Sequence, residues 1–257
     1  MNIFQQFYKS FYSPKTIALF RFQGIGKTIL YVFLLSLFSI LPSVYFLSTA
    51  ISTGIDTVRS IMKDELTPFS IHNGQLFTKT SVPITIDKEN FTIFLDPTGT
   101  LTEEKIAGTD NGLALLKNKF VLIAGEKSET YPYSMFGDKK VSNQDLIQLL
   151  NTLNGLKVII IPVLSIFIYL FTSASNFVQI SILALFGLGL KNLSGRKINY
   201  RQLWRMAAYS LTLPTVFFTI MASIKTTVPA SSLLNWLVAI LVLYLSINEI
   251  PKPKKVE

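Results

Sequence analysis

LKVIIIPVLSIFIYLFTSASNFVQISILALFGLGL, residues 156–190, is the stretch whose reading decides the fold. Its 35 residues carry one charge, Lys157, near the start. As a single helix it would extend roughly 52 Å, against a bilayer hydrocarbon core of about 30 Å. Two full crossings would leave no residues for a turn. One long crossing is expected, with Pro162 and the patch Thr172-Ser173-Ala174-Ser175-Asn176 as the places where it could break.

Charge orders the rest of the chain around that run. Apart from Glu249 and Glu257, every acidic residue lies between Asp56 and Asp145. Residues 50–153 hold ten basic and thirteen acidic side chains, a net of −3; the remainder holds fourteen basic and two acidic ones, a net of +12. Apolar runs flanked by Lys and Arg alone, with one mixed-charge insert, describe a multi-pass membrane protein whose basic segments stay in the cytoplasm. The total of +9 is then a topology signal and not a nucleic-acid signature. With 49% hydrophobic and 15% charged residues, the chain falls below the roughly 25% charge of a soluble domain. The absence of Cys excludes disulfides, thiol catalysis and cysteine metal sites. A single histidine, His72, allows no His-pair metal site. No cofactor is expected.

The expected fold class is an α-helical membrane protein with four transmembrane helices and a small β-rich (α+β) extracytoplasmic domain between spans 1 and 2. Residues 1–24 form a cytoplasmic amphipathic segment. Its apolar positions 3, 4, 7, 8, 11 and 12 share one helix face, which could lie in the headgroup layer or pack on the bundle. Span 1 covers 25–50. The domain covers 51–153, with helical stalks at 51–66 and 142–153 around a β-rich part at 69–141. Phe69 to Thr78 reads as a strand, an Asn73-Gly74 turn and a strand. Further β-like runs lie at 82–86, 91–95, 113–116 and 120–124, and Tyr131-Pro132-Tyr133 forms an edge or a loop. Ser142 and Asp145 make a capping-box-like helix start. A core of about 70 residues without disulfides is marginal, so Ile55, Val58, Ile61, Leu146, Leu149 and Leu153 of the stalks are expected to complete it. Span 2 covers 156–190, a basic cytoplasmic loop 191–205, span 3 206–224, span 4 233–248 and a cytoplasmic tail 249–257. Both termini are expected in the cytoplasm.

Three groups of residues invite a functional reading. Asp96-Pro97-Thr98-Gly99-Thr100-Leu101-Thr102 differs by one residue from the DKTGTLT phosphorylation motif of P-type ATPases and fits the DxxGTL pattern of the haloacid-dehalogenase superfamily. That chemistry needs an Asp nucleophile, a distant Lys and further carboxylates for Mg²⁺. Pro97 replaces the family Lys, no GDGxND-type motif follows, and the domain is about a third of the required size. A tight turn after a strand is the favoured reading, with Pro second and Gly fourth. The second group is Lys191, Arg196, Lys197, Arg201 and Arg205, a five-charge run that could contact anionic lipid headgroups or a partner, or simply set topology. The third is Thr172, Ser173, Ser175 and Asn176, which could line a polar cavity or act as helix-packing glue. No Asp or Glu lies in any span, so proton coupling through a buried carboxylate has no residue to carry it.

Two stretches resemble a known family. Phe11-Tyr12-Ser13-Pro14-Lys15, then Arg21-Phe22, then Gly26-Lys27-Thr28 leading into a span ending near Pro42, resembles the start of an uncharacterised Firmicutes integral membrane family. Its members are often labelled maltodextrin-utilisation proteins. Leu193-Ser194-Gly195-Arg196-Lys197, Tyr200-Arg201-Gln202-Leu203 and Ala208-Tyr209-Ser210-Leu211, ending at Pro214, is similar to the membrane core of the wider Yip-like superfamily. The resemblance implies a carbohydrate-utilisation context, and its eukaryotic members are trafficking adaptors without enzymatic activity. The expected role is therefore a non-enzymatic accessory or sensory protein of the cell membrane, partnered by membrane lipids and a transporter or other membrane protein, with no nucleic acid involved. A component of a transport system is the alternative. A phosphotransferase using Asp96 ranks last.

Overall fold

The computed structural model describes residues 1–88, 91–106, 108–125, 127–137 and 139–252. The tail residues Pro253, Lys254, Lys255, Val256 and Glu257 lie outside the described residues. The chain divides into two units, Met1–Phe46 with Pro162–Glu257, and Leu47–Ile161.

The first unit is helical. It contains α1 (Ile3–Tyr12), α2 (Pro14–Leu19), most of the apolar part of α3 (Ile25–Ser60), the second half of α5 (Asn143–Leu193), α6 (Tyr200–Ser210), α7 (Thr212–Ser223) and α8 (Ser231–Asn248). Among the described residues, four helical stretches are long and apolar enough to cross a membrane: Ile25–Glu65, Asn143–Leu193, Tyr200–Ser223 and Ser231–Asn248. The 156–190 run is part of one unbroken helix that passes through both Pro162 and the polar patch. Neighbouring hydroxyls and helices can re-satisfy the carbonyl that a proline frees in such a helix, so neither feature breaks it.

The third apolar run departs from expectation. Leu211 separates α6 from α7, and Pro214 falls in the first turn of α7, where its missing N–H leaves no intrahelical bond unmade. At the other end, an Asn199–Gln202 capping box starts α6 at Tyr200. Helix α5 runs on to Leu193, so the basic loop expected over 191–205 is helical at both ends and the connection is only 194–199.

The N-terminal helix settles between its two open packings in an unexpected way. Gln6 and Ser10 are buried, while Phe4, Tyr8, Phe11 and Tyr12 are exposed. Ile3 and Phe7 pack against the bundle core, and Phe7 lies 5.7 Å from the ring of Phe38. Phe38 is about 20 Å along α3 from Ile25 at 1.5 Å per residue, so α1 lies alongside the bundle instead of only at its ends. At the centre, Tyr209 packs between Phe20 and Tyr31 with both ring centroids at 4.3 Å. Its hydroxyl donates to Gln6 Oε1 at 2.9 Å.

The second unit is built on β-sheets. One sheet has the order β2 (Gln75–Thr78), β1 (Phe69–His72), β8 (Val141–Ser142); the other runs β3 (Ile84–Lys88), β4 (Phe91–Leu95), β5 (Asn111–Leu115), β6 (Lys119–Ala124), β7 (Lys127–Pro132). A short helix α4 (Glu103–Ile106) lies between β4 and β5, which pair in parallel with Thr92 opposite Gly112. Asn73 and Gly74 take the positive φ values of a two-residue hairpin turn. The 131–133 segment ends the edge strand β7 and turns into a 3₁₀ segment at Tyr133. Ser142 and Asp145 exchange the bonds of a capping box at the start of α5. Flanking helices do complete the core: Val58, Ile61 and Met62 on one side and Leu146, Ile147 and Leu150 on the other pack with Ile71, Ile93, Leu95 and Tyr133. Leu149 is 53% exposed, because the inward face of α5 follows 146, 147 and 150.

Candidate functional site

Asp96 follows directly on β4 and its side chain is fully buried. Oδ1 accepts from Thr98 N at 2.8 Å, Thr98 Oγ1 at 2.6 Å and Gly99 N at 3.1 Å; Oδ2 accepts from Leu101 N at 2.6 Å. Burial pushes its pKa up, but the hydrogen bonds from the Thr98 hydroxyl and the backbone of Leu101, Thr98 and Gly99 outweigh it and hold the carboxyl below its ordinary value. Gly99, at φ +81°, supplies the left-handed residue the turn needs. Both oxygens accept hydrogen bonds from their own loop, an arrangement that organises a turn.

The five basic residues named from sequence are divided by the structure. Lys191 Nζ donates to Ile198 O at 2.8 Å and closes the 194–199 connection. Arg196 Nη2 donates to Asn248 O at 2.8 Å, at the C-terminus of α8, where a cation is favoured by the helix dipole. Arg205 Nη1 donates to Arg21 O at 2.9 Å, tying α6 to the turn after α2. Lys197 and Arg201 are exposed and make no hydrogen bond or ion pair among the described residues. Arg201 and Arg205 line a pocket of about 430 Å³ together with Ile25, Tyr200 and Trp204. Two guanidiniums beside an indole and a phenol, with an apolar wall, form the kind of surface that meets an anionic headgroup. Among the described residues, no Lys or Arg of the helical unit forms a salt bridge; both ion pairs, Arg59–Asp56 and Lys88–Glu65, lie in the β-containing unit.

The polar patch is divided as well. Asn176 Nδ2 donates to Ser36 Oγ at 2.8 Å and joins α5 to α3. Ser173 is buried with its hydroxyl unpartnered, Thr172 is half-buried, and Ser175 is exposed along a groove beside α8. Within the same groove Gln179 Nε2 donates to Asn235 Oδ1 at 2.6 Å. That pair was missed in the sequence, although an amide inside each of two otherwise apolar runs was visible there. The Tyr209–Gln6 contact had no such signal, because its partners are about two hundred residues apart.

A family model matches residues 4–247, from α1 to the last turn of α8. The chain belongs to the DUF1189 family. The family is described as a protein of unknown function. No curated protein and no solved structure matches the chain. For this DUF1189 chain, the roles of individual residues therefore rest on geometry.

Proposed function

We propose that the protein is a non-enzymatic, multi-pass accessory protein of the cell membrane that acts through association. Both termini and the basic segments lie in the cytoplasm in this reading, with the β-containing unit outside. The supporting observation is the division of the basic residues: three hold carbonyls of their own fold, and two, Lys197 and Arg201, project without a counter-charge among the described residues. Such cations attract anionic headgroups by about 1 kcal/mol each near a charged leaflet. The Asp96 geometry adds weight, since the one motif with an enzymatic parallel is occupied by its own turn. The family match carries neither a carbohydrate role nor a Yip-like assignment, so both stay within the proposal. If the resemblance to maltodextrin-utilisation proteins holds, the partner is an uptake system.

Pull-down of the tagged chain from mildly solubilised membranes should recover transporter subunits, and recovery should fall in a Lys197→Gln/Arg201→Gln variant. Deletion should slow growth on maltodextrin more than on glucose. Unchanged growth together with no partner above background would overturn the accessory reading.

A further inference from the structure

The open groove that Ser175 lines lies between α5, α7 and α8 and has a volume of about 670 Å³. Its polar lining consists of Ser175, Gln179, Ser231, Ser232 and Asn235, and no charged residue takes part. Its apolar walls come from Phe171, Val178, Phe218 and Trp236. Gln179 and Asn235 use one group each on one another; Gln179 Oε1 and Asn235 Nδ2 make no further hydrogen bond among the described residues. Both sit on helices apolar enough to span a membrane, and Asn235, five residues into α8, lies near the end of its span, where lipid headgroups meet water. The two groups are one acceptor and one donor, which matches a hydroxyl.

A second, almost wholly apolar groove of about 660 Å³ continues along α8, lined by Leu233, Leu237, Ile240 and Tyr244 with Leu190 of α5. Trp236 lines both grooves. An uncharged polar groove and an apolar groove that share Trp236 have the complementarity of an amphiphile. The geometry points to a binding site for a neutral, hydroxyl-bearing lipid of the diacylglycerol class. Its hydroxyl group meets Gln179 Oε1 and Asn235 Nδ2 beside their mutual hydrogen bond, and a chain follows α8 past Trp236. The absence of any cation from the lining separates this site from the arginine pocket at Tyr200 and Trp204, and the inference does not depend on the accessory role proposed above.

The test uses the full chain in phosphatidylcholine nanodiscs containing a trace of photoactivatable diacylglycerol, with photoactivatable phosphatidylglycerol as the charged control. Diacylglycerol should label peptides from 171–182 and 231–244, and unlabelled diacylglycerol should compete. Labelling should fall about tenfold in Gln179→Leu/Asn235→Leu, the loss of one to two net hydrogen bonds. Because that pair also joins α5 to α8, Ser175→Phe provides a second variant: it fills the recess from an exposed position and should abolish labelling with thermal stability retained. Equal labelling by phosphatidylglycerol, labelling spread evenly over all lipid-facing helices, or a shift from dimer to monomer in Ser175→Phe would each overturn the lipid site, the last in favour of a second copy of the chain.

Discussion

Replacing Asp96 with Asn separates a structural carboxylate from a reactive one. In the Asn side chain, the oxygen can keep the three donors from Thr98 and Gly99, but the amide nitrogen then faces the Leu101 N–H at 2.6 Å. A charge-assisted hydrogen bond is lost and a buried donor is left opposed by another donor, together about 3 kcal/mol. Hydrogen exchange of β4 and β5 amides in the full-length protein should report this as roughly a hundredfold faster exchange. The pH dependence has a defined sign. The folded carboxyl lies below its ordinary value, so its stabilisation is complete above the unfolded-state pKa of about 3.9 and is lost as pH falls through the folded value. The gap between wild type and Asp96→Asn should therefore be widest near neutrality and narrow below about pH 4. Unchanged exchange at pH 7, or an aspartyl-phosphate trapped on Asp96, would refute the reasoning.

Gly112→Ala places a methyl 2.6 Å from the carbonyl oxygen of Thr92 across the parallel β4–β5 pair, and should destabilise the β-containing unit by about 1–3 kcal/mol in exchange or proteolysis assays. Tyr209→Phe removes the donor to buried Gln6 and should lower the thermal midpoint of the detergent-solubilised protein by the equivalent of about 1–2 kcal/mol; an unchanged midpoint would show that α1 is not held there. Arg196→Gln should cost about 1 kcal/mol through the lost bond to the end of α8, whereas exposed Lys197→Gln should leave stability unchanged in the same thermal assay.

Much of the helical architecture was legible because apolar length and charge are properties of contiguous sequence. The 156–190 run and the Asn73-Gly74 hairpin appear where those local signals put them. The break at Leu211 could have been read from Pro214, which favours the first turn of a helix over its middle. Helix α1 was harder for a physical reason: amphipathicity shows that a helix has two faces, not which one turns inward when the surroundings are lipid. In α1, Gln6 and Ser10 turn in, Gln6 meeting the Tyr209 hydroxyl, and four aromatic rings turn out. Pairings such as β1 with β8 or Gln179 with Asn235 join residues that no local pattern relates. The basic cluster was visible as composition, but its division into carbonyl-holding and projecting side chains depends on where α6 begins and α8 ends.

We propose that the mixed-charge unit and the basic ends lie on opposite sides of a membrane. The chain has no Cys, so single cysteines can be placed at exposed Thr100, Lys139, Lys197 and Lys252 and probed with an impermeant thiol reagent in intact cells. Labelling at 100 and 139, with 197 and 252 reactive only after the membrane is opened, is the predicted pattern. Labelling at 197 and 252 in intact cells, with 100 and 139 protected, would contradict it and put Asp96 on the side where ATP is found.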